Sequence, residues 1–319
     1  MYEDPGPRTM LCAGDYQAWI GEVGGGPRSL RYQGQPLLAE YPEAAAPPLD
    51  AGILLAPWPN RTRDGEYTFA GQKHRLVVTE PPRHTAIHGF TGRMAWSPAQ
   101  PGDADPATVI RRRLHIPEQP GWPWPLELTA DWSLDPEQGL CGELSVTNRA
   151  EQACPLGVGW HPYLVARGAA LDECTLQAPV ASALPLDERR NLPSGPEEPA
   201  GTVLEPVGGR SVAEGWSVPM SGTWLDHCFG GLPAAEDGWS RAQLRGPDGA
   251  VELRAGGDFR WWQIYTADPN RGEGFPGLGR AVAVEPMSCP PDALNSGRDL
   301  LVVEPGQTRQ FRVGVRAVD

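Results

Sequence analysis

The sequence predicts an all-β protein built as a large antiparallel β-sandwich, and three features carry that expectation. Glycine and proline supply 39 and 36 of the 319 residues. In helix interiors they cost about 1 and 3 kcal/mol each, whereas turns between short strands accommodate both. The run Leu126-Glu127-Leu128-Thr129-Ala130-Asp131-Trp132-Ser133-Leu134 alternates apolar and polar residues without a break, the pattern of a strand with one wet face. No amphipathic helical period extends beyond a few turns.

Taken in order, Glu66-Tyr67-Thr68-Phe69-Ala70 and Leu76-Val77-Val78 flank Gly71-Gln72, directly after the Asp64-Gly65 turn signal, and predict a strand pair. The alternating run at 126–134 is followed by the turn-rich Asp135-Pro136-Glu137-Gln138-Gly139. Beyond it Leu140, Leu144 and Val146 share one parity, so the two runs predict an antiparallel hairpin. At the C-terminus Glu304-Pro305-Gly306-Gln307 separates Leu300-Leu301-Val302-Val303 from Phe311, Val313 and Val315, which predicts a similar hairpin. Proline and glycine thicken at 97–107 and 185–215, which read as surface loops. Strand patterns occur on both sides of these loops with no change of composition that would mark a linker, so a single domain spanning residues 1–319 is expected.

A chain of this length buries about three quarters of the surface its unfolded form exposes and needs no disulfide or metal to hold it. The net charge of −13 leaves no broad basic face, and the cluster Arg111-Arg112-Arg113 reads as a solvated loop or strand start. Nucleic acid is excluded as a partner. The six cysteines are scattered without C-x-x-C or zinc-ribbon spacing, and they read as small buried hydrophobes. The N-terminus has neither a basic n-region nor an apolar h-region, and no stretch reaches 18 apolar residues. The expectation is therefore no membrane partner and a cytoplasmic protein with reduced thiols.

Two titratable residues stand out. His161 follows Gly157-Val158-Gly159-Trp160 and precedes Pro162; Glu285 ends the apolar run Ala281-Val282-Ala283-Val284 and precedes Pro286. A residue before proline is pushed into extended backbone, which places both groups at strand ends or strand-to-loop junctions lining a cleft. There they are a candidate acid and base.

Four segments in order then resemble the aldose 1-epimerase (galactose mutarotase) family over most of the chain, from about residue 20 onward. They are Ala56-Pro57-Trp58-Pro59-Asn60-Arg61-Thr62; Ala86-Ile87-His88-Gly89-Phe90; His161-Pro162-Tyr163-Leu164 with Asp226-His227-Cys228-Phe229; and Val284-Glu285-Pro286 leading to Pro291-Asp292-Ala293-Leu294-Asn295. The resemblance implies a β-supersandwich with a sugar cleft open to solvent. It implies catalytic roles for His161 and Glu285, and sugar-binding roles for Asn60, Arg61, His88 and Asp226. Galactose-specific members usually carry Asn-His-x-Tyr-Phe at the catalytic histidine and a double glycine after the earlier one. Trp160-His161-Pro162-Tyr163-Leu164 and His88-Gly89-Phe90 depart from both patterns, which places this chain among the divergent bacterial members.

Interconverting sugar anomers requires a base for the C1 hydroxyl proton and an acid for the ring oxygen, with Glu285 and His161 expected in those roles and no cofactor needed. A glycoside hydrolase would ask for two carboxylates where these motifs offer one and a histidine. His84 and His88 have a metal-like spacing, but they sit in an extended segment without evident cysteine or carboxylate partners, so no metal is expected. Trp58, Trp160 and Trp224 are candidates either for stacking on a sugar or for the core. The substrate expected is a free hexose, ahead of a hexose 6-phosphate because the motifs contribute one cation, Arg61. Arg63, Arg93 and Arg260 are the next arginines to consider as phosphate ligands. The alternatives are a hexose-6-phosphate 1-epimerase and a non-catalytic carbohydrate-binding protein of the same fold.

Overall fold

The computed structural model describes residues 9–319 apart from 42–45, 101, 103, 104, 106, 214, 234 and 235. Antiparallel strands form two large sheets. The first has ten strands in the order Ser97–Ala99, Val109–Ile116, Leu126–Asp135, Gly139–Asn148, Thr308–Val318, Gly249–Gly256, Trp239–Gly246, Thr175–Ala178, Gly215–Pro219 and Arg210–Val212. The second runs through Glu198–Pro199, Ser182–Leu184, Asp226–Gly230, Trp261–Ala267, Ala281–Met287, Gly159–Trp160 and Leu54–Leu55, with Tyr163–Leu164 also paired to Ala281–Met287. Their inner faces share one apolar core, in which Trp132 of the first sheet and Trp160 of the second have ring centroids 5.5 Å apart. Gly142 makes room for this contact, since a Cβ there would lie 2.4 Å from the Trp132 ring. No helix is long and apolar enough to cross a membrane among the described residues.

The alternation at 126–134 becomes a ladder with Gly139–Asn148 as expected, Leu126 opposite Asn148 and Asp135 opposite Gly139. The C-terminal pair does not. Leu301–Val303 pairs with Cys154–Leu156, while Thr308–Val318 lies between Gly139–Asn148 and Gly249–Gly256. Glu304–Gln307 is thus a corner between sheets, a difference that shared parity cannot reveal. The early hairpin pairs Glu66–Phe69 with Gln72–Arg75, so its turn is Ala70-Gly71 and Leu76 leaves the ladder to be buried. Both turn residues have positive φ (48° and 78°), as a two-residue hairpin loop requires.

The arginine triplet is also corrected. It lies within the strand Val109–Ile116, where period two sends Ile110, Arg112, Leu114 and Ile116 inward. Arg112, 2% exposed, reaches Glu22 at 3.6 Å, while Arg111 pairs with Asp131 at 2.6 Å on the other face. All six cysteines are free, and Cys154, Cys174, Cys228 and Cys289 are buried. The 185–215 segment carries a short strand, the four-residue helix Gly201–Leu204 and the edge strand Arg210–Val212.

Candidate active site

The second sheet has two unlike faces, and its register creates the site. Residues directly opposite each other in an antiparallel ladder point to the same side. Asp226 lies opposite Tyr265, Cys228 opposite Gln263, Gln263 opposite Glu285, and Tyr265 opposite Ala283. On the far side of Ala281–Met287, Gly159 pairs with Met287 and Tyr163 with Ala283, which places His161 across from Glu285. Asp226, Gln263, Tyr265, Glu285, His161 and Tyr163 therefore share one face. The intervening residues Phe229, Trp262, Ile264, Val282 and Val284 face the core.

His161 occupies the junction between Gly159–Trp160 and Tyr163–Leu164, as its sequence context predicts. Its backbone is pinned on both sides, with His161 N–H donating to Ile53 O at 3.1 Å and Gly52 N–H to His161 O at 2.8 Å. Glu285 differs from expectation, for its strand continues through Pro286 to Met287. It can do so because Val284 and Ser288 donate to Pro162 and Val158 on either side of the proline, which lacks an N–H of its own.

The remaining wall comes from the segments 54–63 and 79–93. Asn60 and His88 both adopt left-handed backbone, φ 54° and 61°. Gly89, φ 65°, follows so close to Ala56 that a Cβ would lie 2.1 Å from its carbonyl oxygen. Asn60 N–H donates to His88 Nδ1 at 3.1 Å, and His88 N–H to Asn60 O at 2.9 Å. That bond leaves the proton of the neutral ring on Nε2. His88, His161, Glu285, Asn60, Arg61 and Asp226 all line one open cleft of about 260 Å³. This is below the roughly 300–1,000 Å³ usual for drug-sized ligands and suits a single sugar ring.

At its floor His161 Nε2 lies 3.3 Å from Glu285 Oε1, with the two residues 5% and 2% exposed. Burial pulls His161 down to about 4, opposed by the nearby Asp50 and Asp226 carboxylates. Burial likewise pushes Glu285 well above the usual carboxylate range, with Asp226 adding to the shift and Arg61 opposing it. Both directions favour a net-neutral pair that holds one proton near neutral pH. Burial also keeps His88 neutral, helped by His161, Arg61 and Arg93.

A polar network extends from this floor. Asn60 Nδ2 donates to Gln263 Oε1 at 3.3 Å, Gln263 Nε2 to Asp226 Oδ1 at 2.7 Å, and Asn191 Nδ2 to Asp226 Oδ2. Arg61 grips Glu80 in a bidentate pair, Nε to Oε2 at 2.7 Å and Nη2 to Oε1 at 2.9 Å. Burial opposes the charge on Arg61, and Glu80 more than offsets it.

The sequence reading did not anticipate Asp50, Glu80, Arg83, Asn191, Gln263, Tyr265 or Glu273. Gln263 alone carried a signal, as a buried amide inside the apolar run Trp261-Trp262-Gln263-Ile264. Trp58 and Trp160 belong to the core, and none of the three candidate tryptophans lines the cleft. His84 is exposed and apart from the site. His88, His161 and Glu285 bring ligand atoms within 4.8 Å of one another. They do not make a metal-binding donor set, because the His88 nitrogen free to face the cleft is the protonated one and Arg61 stands beside the trio.

The sequence pattern of the Aldose 1-epimerase family matches residues 9–316. The chain belongs to this family. It is 33% identical to YihR of Escherichia coli, an uncharacterized protein, over 96% of this chain and 92% of that one. Its fold matches a galactose mutarotase-like protein from Clostridium acetobutylicum with a TM-score of 0.81, at 17% identity over 97% of this chain and 94% of that one. The galactose 1-epimerase of Lactobacillus acidophilus gives 0.74 at 17% identity, covering 100% and 97%. As a family member the chain is an epimerase of the mutarotase type, and the supersandwich implied by the sequence is its fold.

Proposed function

We propose that this aldose 1-epimerase interconverts the α and β anomers of a hexose with a free anomeric hydroxyl, without a cofactor, using Glu285 as base and His161 as acid. The 3.3 Å contact between His161 and Glu285, made at the floor of a cleft sized for one sugar ring, carries the reading. Glu285 takes the C1 hydroxyl proton while His161 protonates O5 as the C1–O5 bond breaks. Rotation about C1–C2 and the reverse transfers close the ring on the other face. Charge separation within the pair is assisted by Arg61 beside Glu285 and by Asp50 and Asp226 beside His161. Each positioned proton transfer contributes about 10²- to 10⁴-fold. Among the described residues His161 Nδ1 and Glu285 Oε2 have no hydrogen-bond partner, which leaves both free to follow the sugar hydroxyls. His88 presents its Nε2–H to the ring oxygen or the open aldehyde, and Arg61, Asn60 and Asp226 fix the other hydroxyls.

Polarimetry on freshly dissolved α-anomers of a small hexose panel tests the function. The approach to equilibrium accelerates far beyond the buffer rate for at least one sugar, and no acceleration for any of them refutes it. The pair also sets the pH dependence. One proton serves the cycle, so kcat/KM is flat through neutrality. It falls about tenfold per pH unit once a second proton adds near 4, and falls again at alkaline pH when Glu285 loses the shared proton. A rate that climbs steadily with pH across the neutral range would show a lone base without its acid.

A further inference from the structure

The Asp226 carboxylate is held from two sides. Gln263 Nε2 donates to its Oδ1 at 2.7 Å, and Asn191 Nδ2 donates to its Oδ2. The first donor stands on the neighbouring strand, whereas the second comes from the connection between Ser182–Leu184 and Glu198–Pro199 and does not line the cleft. Asn191 is 7% exposed, and its Oδ1 accepts from Arg83 Nη1 at 3.3 Å. A guanidinium can only donate, so the amide oxygen has to face Arg83 and the amide nitrogen Asp226.

These bonds close a circuit around the cleft. Arg83 stands 3.2 Å from Glu80, Glu80 grips Arg61, Arg61 N–H donates to Asn60 Oδ1 at 2.9 Å, and Asn60 leads through Gln263 back to Asp226. Each member other than Asn191 lines the cleft. Asn191 is thus the link by which the wall at 79–93 braces a carboxylate on the sheet. Its loop is firmly seated. Asp187 accepts from the N–H groups of Arg190 at 2.8 Å and Leu192 at 3.2 Å, and Leu192 is fully buried. Arg190 reaches Asp64 at 2.7 Å and the carbonyl oxygens of Arg83 and His84, both at 2.8 Å. The backbone at Asn191 is left-handed, φ 51°, which asparagine tolerates better than most side chains.

We infer that Asn191 is a positioning residue for the proposed reaction, holding the Asp226 carboxylate in the orientation in which it receives the sugar hydroxyls. This rests on the sugar-binding role proposed above for Asp226. Each carboxylate oxygen gives one lone pair to an amide and keeps another for the sugar. A carboxylate fixed before the sugar arrives needs less ordering on binding, so the gain falls on KM and not on kcat.

The test measures KM and kcat by polarimetry for the fastest sugar among α-D-glucose, α-D-galactose and α-D-mannose. Wild type, Asn191→Gly and Asn191→Asp are compared, each also in an Asp226→Ala background. Glycine accepts the left-handed backbone and removes the amide, whereas aspartate keeps the shape and the Arg83 contact but turns an oxygen toward Asp226. KM rises about fivefold in Asn191→Gly and about tenfold in Asn191→Asp, with kcat within about twofold of wild type. In the Asp226→Ala background both effects on KM shrink below about twofold, because two changes acting through one partner do not add. An unchanged KM, an effect of full size without Asp226, or a larger loss in Asn191→Gly than in Asn191→Asp overturns this inference, leaves the epimerase reading standing and assigns Asn191 to the loop alone. Wild-type acceleration of none of the sugars overturns the function beneath it, and this role with it.

Discussion

Glu285→Gln and His161→Asn each lower kcat by about 10²-fold or more while leaving sugar binding within about tenfold. The substitutions nearly preserve shape and hydrogen-bonding capacity, so the ladder around Gln263, Glu285 and His161 still forms. What they remove is proton transfer to and from the sugar by two groups that lie 3.3 Å apart. An acid and a base acting in one step fail together, so the double variant is little worse than the worse single one. Stability moves the other way. Burial raises the Glu285 pKa in the folded state, so the folded protein holds that proton more tightly than the unfolded chain. Stability is therefore lost as pH rises from the ordinary carboxylate value through the raised one. Glutamine has no proton to lose, so Glu285→Gln raises Tm more at pH 9 than at pH 5. A variant that kept more than about a tenth of wild-type kcat with a folded circular dichroism spectrum would remove Glu285 from the base role.

Arg61→Ala has the second largest effect, because it acts on both binding and stability. It removes the sugar contact proposed for Arg61 and leaves the Glu80 carboxylate, whose side chain is 22% exposed, without its bidentate partner. The expected loss is about 2–4 kcal/mol of folding stability, at the low end for broken buried pairs because some solvent reaches Glu80. A rise in KM of tenfold or more accompanies it. Arg61→Ala combined with Glu80→Ala separates the two, recovering most of the stability and none of the KM. Recovery of KM in the double variant would mean that Arg61 serves the fold alone.

The parts of this site that were legible in the sequence are those where the local chain is constrained. Proline after His161 and after Glu285, with glycine and apolar residues before them, reported extended backbone in a buried segment, although of the two only His161 stands at a strand junction. The alternation at 126–134 likewise gave its hairpin correctly, since the pairing partner was adjacent in sequence. Illegible were the features set by long-range register. Leu301–Val303 and Thr308–Val318 look like another such hairpin until the sheets are known to part between them. Gln263 becomes a site residue through pairing with Glu285 on one side and Cys228 on the other. Asn191 arrives from a loop and Glu80 from the far end of the Arg61 side chain, neither of which periodicity can report. Arg112 shows the converse, a charge cluster that seemed solvated until strand parity turned its middle residue inward.

In the proposed mechanism Glu285 and His161 open a hemiacetal by moving the C1 hydroxyl proton. Polarimetry of a substrate sugar beside its 1-O-methyl glycoside tests it most directly, because the glycoside keeps every ring contact and lacks that proton. The free sugar is expected to show rapid enzyme-dependent mutarotation, and the glycoside an unchanging rotation together with competitive inhibition. Rotation that changes with the methyl glycoside would mean that the bond to the C1 substituent is being broken, and the proposed mechanism would be wrong.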